Sequence, residues 1–270
     1  MKRIVSLALA VLLVAAALAG CGSQKSGSVS TNGSTSMEKV IGILSEQFMN
    51  DNSGITVTYD ATGSGTGIEA VANGTCDIGL ASRNLKDEEA AKGLVSTTLA
   101  LDGIAIIVNE SCPVEDLTVE QIAGIFTGAN TSWADFGGSG EIACIGREAG
   151  SGTRDGFESI TKTADKCVLK QELTSTGAVI TAVQGGENAI GYASFASVEG
   201  QTGIKVLTVN GVACTAENII NGSYVIQRPF NLITRQDGKL SDAAQAFLDY
   251  ITSPDAAGLI QKAGAVPTAK

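Results

Sequence analysis

The stretch 142-IACIGREAGSGTRDGFESI-160 decides how this chain is read. Ile142 to Ile145 is a short apolar run suited to a buried parallel strand. Arg147 to Arg154 then forms a turn rich in glycine, serine and threonine, and it opens a helix carrying Phe157 and Ile160. The same strand, hydroxyl-rich turn and helix pattern appears earlier in the chain as well. Ile55 to Tyr59 alternates apolar and polar residues, and Thr62-Gly63-Ser64-Gly65-Thr66-Gly67 follows it and opens a helix through Ile68 and Val71. Upstream, Gly33-Ser34-Thr35-Ser36 precedes Met37, Val40, Ile41, Leu44 and Phe48, which fall on one helical face. Further apolar runs at Ile78 to Ala81, Ile104 to Val108 and Ala189 to Tyr192 read as strands. Ile122, Ile125 and Phe126 after Thr118, and Ala243, Phe247 and Ile251 after an N-cap at Ser241, read as helices. Such alternation predicts an α/β fold with mainly parallel sheets.

Each of the three turns offers free backbone N–H groups, hydroxyl donors and the positive end of a helix dipole, while glycine lets an oxyanion approach the backbone. One such turn is usually only a cap. Three in one chain, one of them carrying Arg147, point to an anion site without a large positive charge. Arg147 fits either a planar bidentate contact to phosphate or carboxylate, or a surface ion pair with Glu148.

Composition removes several alternatives. The chain has no histidine, so a Ser-His-Asp triad and an imidazole base are excluded, and a zinc or copper site is disfavoured. No turn carries the lysine of a phosphate-binding G-x-x-x-x-G-K-[ST] loop, and Gly63 to Gly67 closes too soon for G-x-G-x-x-G. Binding without turnover, and without a cofactor, is what remains. A net charge of −10 speaks against nucleic acid and anionic lipid as partners. Cys76, Cys112, Cys144, Cys167 and Cys214 show no C-x-x-C spacing and read as core residues, an odd set that cannot all pair within one chain.

The N-terminus reads as an address. Lys2 and Arg3 precede an apolar run from Ile4 to Ala19, too short to span a membrane and laid out as a secretory signal over residues 1–20. Leu18-Ala19-Gly20-Cys21 resembles the lipobox of bacterial lipoproteins, which implies acylation of Cys21 and an extracytoplasmic, membrane-anchored location. Residues 21–33, rich in Gly, Ser, Thr and Asn, then read as a flexible tether.

With these motifs in order, the chain resembles the phosphate-binding lipoproteins of phosphate-specific ABC transporters. The resemblance runs through Gly33-Ser34-Thr35-Ser36, Gly63-Ser64-Gly65, Asp77-Ile78-Gly79, Ile125-Phe126-Thr127-Gly128, Trp133, Arg147 to Thr153, Ala189-Ile190-Gly191-Tyr192 and Arg228-Pro229-Phe230. It implies a two-lobed venus flytrap of the type II periplasmic-binding-protein-like fold, with the ligand in the interlobe cleft and an ABC permease as partner. Lobe 1 would comprise 34–103 and 227–270, and lobe 2 would comprise 104–226. Carried over residue by residue, it implies phosphate binding by Thr35, Ser36 and Ser64 from one lobe. Arg147, Ser151, Gly152, Thr153 and Thr176 would bind from the other.

One departure bears on selectivity. Relatives place an aspartate, which accepts the phosphate proton, in the turn that here reads Ala81-Ser82-Arg83. The expected substitute is Asp102, held by Arg83, with a plain hinge ion pair between the two as the other reading and Asp77 as a fallback acceptor. A binding protein for sulfate, molybdate or a phosphonate therefore stays open. So does a sensor or adhesion module on the same fold, although such a module has no use for three hydroxyl-rich turns.

Overall fold

The alternation is realised on one long sheet in the computed structural model, which describes residues 26–268. The signal segment and Cys21 lie outside the described residues. The first part of the chain forms β1 (Gly27–Gly33), α1 (Glu38–Asp51), β2 (Ile55–Ala61), α2 (Ser64–Ala72), β3 (Ile78–Ala81), α3 (Asp87–Ala90) and β4 (Leu94–Asn109). The middle part forms β5 (Asp116–Leu117), α4 (Val119–Phe126), β6 (Ala143–Arg147), α5 (Gly152–Thr161), β7 (Gln171–Leu173), α6 (Thr176–Gln184) and β8 (Ala189–Ser194). It continues through α7 (Phe195–Val198), β9 (Ile204–Val206), β10 (Thr208–Val209) and α8 (Ala216–Ile220). Last come β11 (Gln227–Arg235), α9 (Asp242–Ile251), α10 (Ala257–Lys262) and β12 (Val266–Pro267).

The strand order is β2-β1-β3-β11-β4-β8-β6-β7, with β9 and β12 also paired to β4. Parallel pairing, as expected, joins β1 to β2 and β3, and β6 to β7 and β8. The centre differs from the expectation, because β11 returns from the second lobe and runs antiparallel to both β3 and β4. The 16-residue β4 serves both lobes: Leu94 to Gly103 pairs with β11, and Ile104 to Val108 pairs with β8.

Two separate cores flank that crossing. Val29, Ile41, Leu44, Phe48, Phe230 and Phe247 fill one, and Ile106, Phe126, Trp133, Phe157, Ile190 and Tyr192 fill the other. Each fully buried side chain of this size contributes about 1.5–3 kcal/mol, so each lobe is stabilised largely by its own apolar contacts. Helix starts follow their caps. Thr118 accepts from Gln121 N at 3.2 Å while the Gln121 side chain returns to Thr118 N, and Ser241 accepts from Ala244 N at 3.1 Å.

The tether assigned to residues 21–33 is corrected over its second half. Gly27 to Gly33 is β1, an inner strand paired with β2 along its whole length and with β3 from Thr31 to Gly33. Its small polar residues are there because neighbouring backbones close in on it. A Cβ on Gly33 would overlap the Leu80 carbonyl, and a Cβ on Gly67 of α2 would overlap the Asn32 carbonyl. Val29 alone supplies an apolar anchor, fully buried. Ser30 donates from its N and Oγ to Asp77 Oδ2, each at 2.8 Å, so the fallback acceptor Asp77 serves as a strap for β1.

Candidate functional site

Each strand–turn–helix unit delivers its hydroxyls to the carboxyl end of its strand, where ligands of open α/β sheets collect. Thr35 and Ser36 follow β1, Ser64 starts α2, Gly152 and Thr153 start α5, and Thr176 starts α6. All the polar members are 4% exposed or less. Side chains from the two lobes meet directly. Ser36 Oγ shares a hydrogen bond with Thr153 Oγ1 at 2.8 Å and another with Thr176 Oγ1 at 2.9 Å. Thr35 Oγ1 lies 3.0 Å from Thr176 Oγ1 and accepts from Thr176 N at 3.2 Å.

Arg147, 1% exposed, ends β6 and supplies the charge. Its Nη1 donates to Thr35 Oγ1 at 3.0 Å, across the lobes, while Nε and Nη2 donate to the carbonyls of Leu173 and Thr174, each at 3.0 Å. Arg147 Nη2 also pairs with Glu148 Oε1 at 2.8 Å. The ion pair with Glu148 is present but buried rather than on the surface, and the same guanidinium reaches into the hydroxyl cluster through Nη1. Its main chain is fixed too, because Arg147 N donates to the hydroxyl of Tyr192, whose ring stacks on Phe157 at 4.2 Å.

Ser64 accepts from Ser82 N at 3.0 Å and shares a hydrogen bond with Ser82 Oγ. Gly152 faces this pair so closely that any Cβ on it would collide with both hydroxyls. Ser151 is buried but acts as the N-cap of α5, accepting from Arg154 N at 3.4 Å. Arg154 itself turns away to Glu158 and Glu172.

Two expected site residues stand elsewhere. Arg83 does not meet Asp102. It forms a two-pronged pair with Glu89 at 2.6 and 2.8 Å, and its Nε lies 2.8 Å from Asp155 Oδ2 in an ion pair whose angle is not that of a hydrogen bond. Glu89, three residues from Lys86, caps the same turn and so captures the arginine locally. Asp102, fully buried, is saturated: Oδ1 accepts from Ser194 Oγ at 2.9 Å and Ala196 N at 3.2 Å, and Oδ2 pairs with Arg228 at 3.1 Å. Burial pushes its carboxyl up against the pull of Arg228, and burial likewise pulls Arg228 down. The hinge pair is thus Asp102 with Arg228, and Arg83 ties the lobes through Asp155.

Three participants were missing from the sequence-derived set. Ser82 follows the apolar run of β3, the same signal that marked the other hydroxyls. Glu148 entered only as a partner for Arg147, and Arg228 only as part of a motif. A groove of about 580 Å³ lined by Arg83, Lys86, Asp155, Glu158, Gln227 and Arg228 contains none of the cluster hydroxyls. Its charges are mixed and mutually paired, whereas the cluster presents chiefly donors, so the anion chemistry lies in the cluster. Cys76, Cys112, Cys144, Cys167 and Cys214 are all free thiols. Among the described residues, no group of three or more Cys, Asp or Glu is arranged to hold a metal ion.

Residues 21–255 match a family model described as a PBP superfamily domain. The chain is 30% identical over 264 residues to the phosphate-binding protein PstS of Bacillus subtilis, covering 91% of this chain and 86% of that protein. Among solved structures it is similar to a proposed phosphate ABC transporter substrate-binding protein from Clostridium perfringens, with bound phosphate. That match has a TM-score of 0.86 and 36% identity over 90% of this chain and 100% of the other. An ABC-type phosphate transport receptor from Vibrio cholerae matches with a TM-score of 0.72 and 32% identity, over 88% of this chain and 99% of that one.

Proposed function

This chain belongs to the PBP superfamily, and from that membership we propose that it captures inorganic phosphate between its two lobes and delivers it to the permease of an ABC transporter. The observation that carries the reading is the meeting of Thr35, Ser36, Thr153 and Thr176 around Arg147. A tetrahedral oxyanion needs donors converging from all sides, and hydroxyls and helix N-termini from both lobes supply them with one guanidinium. Ser64 and Gly152 complete the proposed set at the N-termini of α2 and α5. Because these donors come from both lobes, an anion among them ties the lobes together, which is how binding is signalled to a permease. Nothing in the set is suited to break a bond: it holds hydroxyls capped by their neighbours and no imidazole base, and the protein is a carrier, not an enzyme.

The extracytoplasmic setting and the lipid anchor belong to the same proposal and rest on the signal-like residues 1–20 followed by Cys21. No helix among the described residues is long and apolar enough to cross a membrane. Calorimetric titration of the mature protein with phosphate, sulfate and molybdate tests the ligand. One phosphate per chain, bound more tightly than the other two anions, is expected. Tighter binding of sulfate or molybdate refutes it. For the anchor, Cys21→Ser should release the protein from the membrane, and a variant that stays anchored refutes the lipoprotein reading.

A further inference from the structure

We infer that Glu148 accepts the proton of the bound anion and thereby sets phosphate against sulfate, an assignment that rests on phosphate being the ligand. Phosphate near neutral pH carries at least one proton and sulfate carries none. In a buried site an O–H needs an acceptor, while a bare oxyanion facing that acceptor meets a like charge with no hydrogen bond. Hydroxyls and N–H groups of the cluster are required as donors, so selectivity calls for a carboxylate.

Candidate carboxylates around the cluster are already spoken for, with one exception. Asp102 is filled by Arg228, Ser194 and Ala196, and Asp77 by Ser30. Asp155 and Glu89 are taken by Arg83. Glu148 remains. Its Oε1 accepts from Arg147 Nη2 at 2.8 Å, but its Oε2 is buried and has no hydrogen-bond partner. An orphaned carboxylate oxygen is costly to bury, and such an orphan beside a ligand-binding arginine is an acceptor waiting for a donor.

The placement fits the ligand as well. Glu148 belongs to the second lobe, yet its Oε1 comes within 3.8 Å of where a Cβ on Gly63 would stand, at the start of α2 in the first lobe. The next contact along is also across the lobes, from Gly65 N to Gly150 O at 2.9 Å. Glu148 thus stands between Arg147 and the turn that carries Ser64, two of the groups proposed to hold the anion.

Glu148→Gln is the test, read by competition calorimetry with phosphate and sulfate. The glutamine carbonyl still accepts from Arg147 Nη2, so the arginine keeps its orientation, while the amide now donates where the orphan oxygen accepted. Phosphate should bind about tenfold to a hundredfold more weakly, the value of one hydrogen bond to a charged group, and sulfate should gain, so the ratio between them narrows. Glu148→Asp, which keeps the charge, should weaken phosphate but retain the rejection of sulfate. An unchanged ratio in Glu148→Gln, or equal losses for both anions, overturns the assignment and leaves Glu148 as a mere holder of Arg147. Wild-type protein that binds no phosphate overturns the functional reading itself, and does so before any variant is made.

Discussion

Gly152→Ala asks whether the lobes must meet at the hydroxyl cluster for the anion to be held. Gly152 opens α5 and its φ is not positive, so the backbone accepts alanine. The added methyl would stand 2.7 Å from Ser82 Oγ, closer still to Ser64 Oγ, and 3.1 Å from Ser64 Cβ, all in the opposite lobe. Carbon atoms in comfortable contact stand about 3.5–4.0 Å apart. Swinging the hydroxyls aside is no remedy, because Ser64 Oγ accepts from Ser82 N and Ser64 Cβ is fixed to the backbone of α2. Lobe 2 must therefore back away by roughly half an ångström or more, on the deficit between those contacts. That shift stretches the Ser36–Thr153 and Arg147–Thr35 contacts, now 2.8 and 3.0 Å, toward the limit of hydrogen bonding. An anion held by these same donors from both lobes would have its hydrogen bonds lengthened by the same shift, and weakening two of them costs about 2–4 kcal/mol, or ~30-fold to ~1,000-fold in phosphate affinity. Thermal stability without phosphate should change by less than ~0.5 kcal/mol, since each lobe keeps its own core. Gly177→Ala is the control: it also lies in the first turn of a helix of lobe 2, but a Cβ there meets nothing within 4 Å. Calorimetry on both variants, with melts alongside, decides the matter. A phosphate affinity in Gly152→Ala equal to that of Gly177→Ala would refute the account of the cleft.

Other expectations follow from the same contacts. Arg147→Ala should weaken phosphate by ~2–5 kcal/mol, because a buried anion loses the guanidinium set among the cluster hydroxyls; calorimetry of that variant showing full affinity would remove Arg147 from the site. Asp102→Ala should lower stability by about 3–5 kcal/mol, leaving Arg228 buried and unpaired, and a melting temperature equal to wild type would refute the hinge pair. Glu89 gives a pH dependence. Burial works against its charge, but the two hydrogen bonds and the charge of Arg83 outweigh burial and hold its carboxyl below 4.5. A lowered value means stability that is present above pH 4.5 and is lost as pH falls through the folded-state value. Urea midpoints between pH 6 and pH 3 should fall less steeply in Glu89→Gln than in wild type, and parallel curves would count against the pair.

The fold was legible wherever a strand is apolar and a turn carries hydroxyls. Ile78 to Ala81 is β3 residue for residue, and Ser64 and Thr153 stand at the starts of the helices expected of them. β1 was illegible because its burial depends on carbonyls from neighbouring chain segments, which a run such as Ser28-Val29-Ser30-Thr31-Asn32 does not announce. The hydroxyl cluster was readable since each member sits in its own local motif. The partners of Asp102 and Arg83 were not, because Arg228 and Asp155 come from distant parts of the chain and compete with nearer choices. Glu148 shows the same limit: next to Arg147 it reads as a neutralising neighbour, and only burial of its second oxygen, with nothing bonded to it, marks it out.

The position of β11 has a consequence for how the chain acquires its shape. β11 occupies the slot between β3 and β4, and the sequence reaches it only after the whole of the middle part has been made. Residues 104–226 are contiguous and can complete their core while that slot is still open. β1, β2 and β3 must meanwhile wait with an unpaired edge on β3, a template for pairing with another chain. Closing it joins residues far apart in sequence, such as Leu101 with Pro229, and so carries a loop-closure cost that pairing within residues 104–226 does not. Pairing of β11, and not completion of the middle part, is therefore the event that ends the first lobe's exposure to aggregation.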